Sequence, residues 1–425
     1  MKVLVVGSGG REHALAWKIA QSPELTALHA APGSAAIGEL ATCHDVAVSD
    51  LEGLVNLAKE IAADLVVVGP ENPLCDGLAD RLRQAGIATF GPSERAARLE
   101  ASKAYAKDFY ARHHVPSADY GTFSDAAEAK AFLDRVEPPY VLKADGLAAG
   151  KGVVILDDRA EAEAEIDAFL SGKFGAASKT LVIEEFMAGE EVSIFALCDG
   201  EHVLYCGAAQ DHKRVGEGDT GPNTGGMGAY SPAPIATPEL IDTAMKTIVE
   251  PVARGLAAEG HPFKGVLFAG LMVGRDGPRV VEFNIRFGDP ECQVLMMRIE
   301  SDLLPYLMAT ATGTLDAMPP LAWSSDPAIT VVMAANGYPG SYDKGSVIRG
   351  VSEANRMEGV QVFEAGTARN ADGERIAAGG RVLNVTATGE TLHYAVDRAY
   401  AAVDQIDWPE GFCRRDIAWR ALRTH

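Results

Sequence analysis

The chain has 425 residues, 47% of them hydrophobic, which suits roughly two to four domains with ordinary cores, yet no apolar run reaches the length of a membrane span. A formal net charge of −21 argues against nucleic acid, whose phosphate backbone needs a basic footprint, so neither nucleic acid nor membrane is expected as a partner. Six cysteines with no CxxC pair argue against a zinc site or a disulfide framework and fit a reducing cytoplasm.

In so acidic a chain, sites for anionic ligands must be local basic, glycine-rich islands. The first segment, MKVLVVGSGGREHA, is too short in its apolar part for a signal peptide and reads as a strand entering a turn. KVLVVG (2–7), LHAAP (28–32), DVAV (45–48), LVVVGP (65–70) and ATFGP (88–92) are predicted strands closed by Gly or Pro. EHALAWKIAQS, LEGLVNLAKEIAA and LCDGLADRLRQAG between them carry helical periodicity. Alternating strands and helices predict a Rossmann-like α/β domain over residues 1–100, with a parallel sheet and ligands at the carboxyl ends of its strands. The loops there are GSGGRE (7–12), APGS (31–34) and GPE (69–71). A dinucleotide reading fails, because Glu12 stands where G-x-G-x-x-G needs its third glycine and no acid follows the second strand. A glycine turn opening a helix still suits a phosphate or phosphosugar; a ligand-free tight turn is the alternative.

The texture changes near residue 101. SKAYAKDFYARHHV predicts a helix capped by Ser102. PPYVLKADGLAAGKGVVIL (138–156) reads as strand, glycine loop, strand; the loop is one residue short of a Walker motif and suits a flap closing over phosphates. Lys143 lies within that strand among apolar neighbours, either partnered or snorkelling from an edge. LVIEEFMAGEEVSIFAL (181–197) is strand, acidic pair, short loop and strand; it could read an adenine edge or be a turn with surface acids. QDHKRVGEGDTGPNTGGMGAYSP (210–232) is a long glycine-rich loop headed by Asp211, His212, Lys213 and Arg214, the densest positive spot of the chain.

HPFKGVLFAGLMVG (261–274) and PRVVEFNIRFGDPE (278–291) are two strands of a second sheet, with a helix through ECQVLMMRI. Strand alternation puts Glu282 and Asn284 on one side, a carboxylate and an amide oxygen that suit a hard cation such as Mg2+ or simply form a solvated face. From about 326, ITVVMAANGYPG, GVQVFEAGT and RVLNVTATG are strands and TLHYAVDRAYAAVDQI a helix, a smaller α+β domain with glycine and basic loops at 337–340, 344–345 and 379–381.

GSGGREHALAWK, VVGPENPL, FGPS, KADGLAAGKGV, IEEF, QDHKR…DTGPNTGGMGAYSP, EFNIRFGDPE, VMAANGYPG and GGRVLNVTA together resemble the ATP-grasp superfamily, and within it the phosphoribosylamine–glycine ligase (glycinamide ribonucleotide synthetase) family, nearly end to end. Cys292 and Asn336 depart slightly from the family pattern, which has small or hydroxylated residues at the first position and small residues at the second. The resemblance implies a multidomain α/β and α+β chain: a pre-ATP-grasp domain at 1–100, a two-lobed ATP-grasp domain at 101–325 with a mobile lid at about 120–190, and a C-terminal domain at 326–425. It implies that ATP, glycine and 5-phosphoribosylamine give ADP, phosphate and glycinamide ribonucleotide, a step of purine biosynthesis, with Mg2+ or Mn2+ as cofactor.

By the same resemblance Glu282 and Asn284 hold the metal, and Arg286, Asp211 and Lys213 are catalytic. Lys103, Lys143 and the flap residues Gly150, Lys151 and Gly152 meet the ATP phosphates. Glu184, Glu185 and Phe186 form the adenine hinge, and Glu191 meets the ribose. The backbone at Gly225 and Gly226 joins Asp211 and Lys213 in the glycine pocket. Gly9, Gly10, Arg11, Glu12, Gly33, Pro70, Glu71, Lys344 and Arg381 hold the phosphoribosylamine, and Asp289 and Glu291 its amine or ribose. A cytoplasmic monomer or weak homodimer acting on small molecules is expected. The rivals are another ATP-grasp ligase or carboxylase, a nicotinamide oxidoreductase and a non-enzymatic nucleotide sensor.

Overall fold

Short apolar runs rich in valine form the first sheet of the protein, a computed structural model that describes residues 1–146, 152–173, 175 and 179–423. Strands β1 (Lys2–Gly7), β2 (Ala27–Pro32), β3 (Thr42–Cys43), β4 (Leu65–Val68) and β5 (Ala88–Phe90) pair in parallel in the order β3-β2-β1-β4-β5. Strand order reverses between β1 and β4, which opens a crevice at their carboxyl ends. GSGGRE and GPE therefore lie side by side, and Gly69 N donates to Val6 O at 3.0 Å.

Two expectations need correction here. DVAV is not a strand: β3 pairs only Thr42 and Cys43 with β2, after which the chain turns away toward the helix cap Asp50. Val46 and Val48 still pack on the core, which accounts for their apolar pattern. The helix expected at 74–86 is two helices, Glu71–Cys75 and Leu78–Gln84, separated by Gly77 at φ +88°.

Strands β6 (Tyr120–Phe123), β7 (Tyr140–Ala144), β8 (Val153–Leu156) and β9 (Leu181–Glu184) form an antiparallel sheet in the order β6-β9-β7-β8. Helices Ala126–Phe132 and Arg159–Leu170 cover it with Ala129, Ala162, Ile166 and Phe169. The strand, glycine loop, strand pattern is present: Lys143 pairs Val153, and Ala144 N donates to Gly152 O at 2.8 Å. Gly150 and Lys151 lie outside the described residues.

The third sheet takes β10 (Glu190–Asp199) and β11 (Val203–Asp211); the hairpin β12 (Arg214–Gly216) and β13 (Thr220–Asn223) projects from it before β14 (Gly228–Ser231) rejoins. It continues through β15 (Lys264–Gly274), β16 (Gly277–Asn284), β17 (Ala328–Ala335) and β18 (Val360–Glu364). After the small hairpin β19 (Thr367–Arg369) and β20 (Arg375–Ala377) come β21 (Arg381–Thr388) and β22 (Gly411–Phe412). The order is β16-β15-β10-β11-β14-β17-β21-β18, with β22 on β17, so one sheet runs from the metal-strand candidate to the C-terminal helix layer. The segment 210–232 is accordingly not one structureless loop. Residues 218, 219 and 221 at positive φ turn the β12–β13 hairpin, and β14 bridges β11 to β17.

That hairpin is held by the end of the chain. The buried guanidinium of Arg414 donates to both oxygens of Asp416 at 2.8 Å, to Asp219 Oδ1 at 3.0 Å and to Arg214 O at 2.9 Å. Arg420 pairs with the other Asp219 oxygen, and buried His212 accepts from Ala418 N at 2.9 Å. Burial opposes the Asp219 charge, but the His212 ring 3.5 Å away, the hydrogen bond from Arg414 and the charge of Arg420 hold its carboxyl far below the usual range. Removing one partner of such a buried group costs roughly 3–5 kcal/mol. Arg414→Met should therefore lower the melting temperature and open residues 214–223 to limited proteolysis; an unchanged digestion pattern there would show that the tail does not hold the hairpin.

Candidate functional site

β16 ends with Glu282 and Asn284 facing the same way across from Gly270 and Phe268 of β15. Gly270 has no side chain to crowd the carboxylate. Glu282 is exposed to solvent, and among the described residues it has no hydrogen-bond or ion-pair partner. Crowding by neighbouring protein atoms favours the neutral acid, but Lys213, Lys143, Lys103 and Arg286 outweigh that and hold its carboxyl below the usual range. Asn284 Oδ1 accepts from Arg286 Nη2 at 3.1 Å and keeps a second lone pair. The described residues contain no group of three or more His, Cys, Asp or Glu fit to hold a metal. Two hard oxygen donors suit a small hard ion whose remaining ligands would be water and phosphate oxygens.

Arg286 joins this strand to the first sheet. Its Nε donates to Glu71 Oε2 at 3.1 Å, and its Nη2 lies 3.3 Å from Glu100 Oε1. Burial works against the guanidinium charge, but Glu100 and Glu71 outweigh it and raise the Arg286 pKa. Glu100 is itself buried, which raises its pKa, and it accepts from Ile285 N at 2.8 Å. The sequence reading missed Glu100: on ERAARLEA it is one more helical acid, and only the fold turns it toward β16.

The glycine turn of the first sheet is tightly specified. Glu12 Oε2 accepts from Gly9 N at 2.7 Å, so the N3 carboxylate satisfies the backbone N–H of the glycine that caps this helix. A Cβ on Gly7 would lie 2.4 Å from Glu12 Cγ, and one on Gly69 2.1 Å from Glu12 Oε1. The same residue that breaks the dinucleotide fingerprint thus fills the space between two glycines. Arg11 bonds Glu12 at 2.6 Å and Phe287 O at 3.2 Å. A Cβ on Gly10 would meet Asn384 Nδ2 at 2.4 Å, so the turn sits directly against the third sheet. Pro70 precedes the helix that carries Glu71, and Gly33, at φ +70°, packs on Cys43.

Asp289 and Arg381 complete this wall. Asp289 accepts from Gln293 Nε2 at 3.0 Å, and Arg381 Nη1 donates to Asp289 O at 2.7 Å and Gly225 O at 2.8 Å. Gly225 N donates to the Tyr338 hydroxyl at 3.2 Å. A Cβ on Gly226 would lie 2.5 Å from Pro290 Cδ, which explains a glycine there. Lys344 is not brought in: it is exposed on the 337–350 segment and makes no hydrogen bond or ion pair among the described residues.

On the far side, Lys143 Nζ lies 2.9 Å from Glu184 Oε2, both buried. Lys103 Nζ donates to Gly146 O at 3.2 Å, and Ser102 caps its helix as expected, accepting from Tyr105 N at 3.1 Å. Glu185 is occupied structurally, pairing with Arg279 and accepting from Asp119 N at 3.1 Å. Phe186 stays 41% exposed and, with Met187 and Met272, borders an open cleft of about 680 Å³.

Between the two sides sits an acid pair. Lys213 bonds Glu191 at 2.5 Å, and against desolvation of its half-exposed ammonium Glu191 and Asp211 raise its pKa. Asp211 is raised, chiefly by burial. Burial, then the charge of Asp211, pushes the Glu291 carboxyl up to about 8. The folded protein therefore keeps a proton on Glu291 between its ordinary 4.5 and about 8, where the unfolded chain has lost it. That stability is complete below the lower value and lost as pH rises through the upper one. Glu291→Gln, neutral at every pH, should flatten the fall in melting temperature over this window; an equal fall would assign the titration elsewhere.

Three family profiles cover the chain: the phosphoribosylglycinamide synthetase N domain over residues 1–100, its ATP-grasp (A) domain over 101–292 and its C domain over 328–420. A curated phosphoribosylamine–glycine ligase of Mesorhizobium japonicum is 58% identical over 99% of each chain. The crystal structure of the Thermotoga maritima phosphoribosylamine–glycine ligase superposes with a TM-score of 0.85 at 32% identity, covering 98% of this chain and 100% of that one. A biotin carboxylase from Campylobacter jejuni, in complex with an ATP analogue, shares the fold with a TM-score of 0.75 at 15% identity, covering 98% of this chain and 93% of that one.

Proposed function

This chain belongs to the phosphoribosylglycinamide synthetase family, and from that premise we propose how its cleft joins glycine to 5-phosphoribosylamine. It is an ATP-dependent ligase of purine biosynthesis that works with ATP and a divalent metal. The observation that carries the reading is the Arg286–Glu71 pair: it joins the strand of the metal-fit oxygens to the glycine turns of the first sheet. A carboxylate cannot expel oxide at neutral pH, so its oxygen must first be phosphorylated to an acyl phosphate, a mixed anhydride with a good leaving group. ATP supplies the phosphoryl group, the glycine carboxylate accepts it, and the sugar amine displaces phosphate from the glycyl phosphate.

Each residue then has a stated task. Lys103, Lys143 and the flap residues Gly150, Lys151 and Gly152 bind phosphates. The backbone at Glu184, Glu185 and Phe186 meets the base, beside the cleft bordered by Met187 and Met272. Glu191 binds the ribose and orients Lys213. Lys213 and Arg286 receive charge on the transferring phosphoryl and the acyl phosphate. Glu282 and Asn284 would hold Mg2+ or Mn2+, which would supply charge neutralisation for the phosphates. Asp211 lies between Lys213 and Glu291, where a glycine pocket closed by Gly225 and Gly226 would place an ammonium group. Arg11, Glu12, Gly9, Gly10, Gly33, Pro70, Glu71 and Arg381 form the phosphoribosylamine wall, with Asp289 and Glu291 near its amine; Lys344 reaches it only if its loop moves.

The division of labour follows the chain, with substrate domain 1–100, ATP-grasp domain 101–325, lid at about 120–190 and C-terminal domain 326–425. Six free thiols support a cytoplasmic setting. A monomer or weak homodimer suffices, because every residue in this scheme comes from one chain.

The test is ADP release with ATP and Mg2+, phosphoribosylamine being generated in place. It should require both glycine and the sugar amine; release with bicarbonate in place of glycine would overturn the substrate assignment. Lys143→Ala and Arg286→Ala should each lose about 1.5–3 kcal/mol or more of ligand or transition-state stabilisation, the scale for hydrogen bonds to charged groups, read from kcat/KM. Glu282→Gln should shift the Mg2+ titration to higher concentration, and an unmoved titration would remove it from the ligand set.

A further inference from the structure

The assignment of Lys143 to the phosphates leaves a problem in the buried layer beneath it. Its ammonium sits on Glu184 Oε2 at 2.9 Å, and both side chains are shut off from solvent. To reach a phosphate it must loosen that contact, and a buried carboxylate stripped of its cation is strongly disfavoured. Among the described residues Glu184 pairs with one other cation. Lys107 Nζ stands 3.9 Å from the second oxygen, Glu184 Oε1. Lys107 projects from helix Lys103–Arg112 and is 2% exposed. Two of its three donors go to Ala118 O at 2.5 Å and Ser117 Oγ at 3.2 Å, which leaves the third for Glu184.

We propose that Lys107 is a positioning residue for nucleotide binding: it takes over Glu184 as Lys143 turns to the phosphates of ATP. This rests on the reading of Lys143 as a phosphate lysine, and adds a residue that the sequence analysis did not single out.

The exchange has a proton signature. The groups facing Lys107 are Glu184 at the end of β9, Glu185 next to it, Lys143 on β7, Arg279 on β16 and the Tyr120 ring on β6, 5.1 Å from Nζ. Burial, helped by the charges of Lys143 and Arg279 and opposed by Glu184 and Glu185, lowers its pKa to about 8. Departure of Lys143 and closer approach of Glu184 both move it upward. Near pH 8 nucleotide binding should therefore draw a proton onto Lys107, and by linkage the affinity should fall as pH rises past that value.

The probe is the β,γ-methylene analogue of ATP with Mg2+, titrated calorimetrically into the full chain at pH 8 in two buffers of different ionisation heat. The wild type should take up a measurable fraction of a proton. Lys107→Arg, charged throughout, should bind comparably without that uptake. Lys107→Met should bind about tenfold or more weakly, the effect of losing a charge-assisted contact. A side chain that only fills space would not change proton uptake. Undiminished uptake in Lys107→Arg, or wild-type affinity in Lys107→Met, would overturn the proposal. If Lys107→Met does not fold, the Lys107→Arg uptake decides alone. Wild-type affinity in Lys143→Met would remove the phosphate reading of Lys143 and this inference with it; weak binding there beside normal binding in Lys107→Met would remove this inference only.

Discussion

Arg286 is where the parts of the chain that must cooperate are tied together. One guanidinium meets Glu71 from the first sheet, Glu100 from the helix leading out of it, and Asn284 on its own strand. A planar fork of donors can serve several acceptors at fixed angles, which an ammonium cannot. Because the group is buried, each carboxylate is needed to offset the loss of water, and each is in turn held in place by the guanidinium. The phosphosugar wall, the metal-fit oxygens and the acid pair thus share one electrostatic frame, and displacing any of them disturbs the others.

That frame also explains how a chain with a net charge of −21 can gather anions. Lys103, Lys143, Lys213 and Arg286 all act on Glu282. Most of these cations are already matched to a carboxylate or a carbonyl: Lys143 to Glu184, Lys213 to Glu191, Lys103 to Gly146 O. Binding a polyphosphate is then an exchange of partners, and the residues behind the direct contacts decide how easily it proceeds.

The single sheet running from β16 to β18 sets the geometry of the other wall. It places Arg381 of β21 against Gly225 and Asp289, and it brings Asn384 and Gln293 up to Gly10. The end of the chain secures the same region from outside, through Arg414 and His212. Buried His13 adds a further tie, accepting from Glu364 N at 2.9 Å as a neutral ring whose pKa burial lowers to about 4.

Much of this was legible in the residues themselves. Strand and helix periodicity located β1, β2, β4, β5 and β7 to β10, because alternation and capping act within a few residues. The side-by-side placement of Glu282 and Asn284, and the Ser102 cap, are likewise local consequences of backbone geometry. The DVAV run misled, since its valines pack as coil and apolar pattern records burial, not ladder pairing. The break at Gly77, the β12–β13 hairpin and the joining of the C-terminal strands to the central sheet depend on partners far along the chain. So do Glu100 and Lys107, ordinary helical charges until the fold sets them against Arg286 and Glu184. The sequence by itself determined local structure and the chemical types available at the cleft. Tertiary structure alone decided which charge meets which, because Coulomb interactions and desolvation depend on distance and burial, and neither is set by neighbours in the chain.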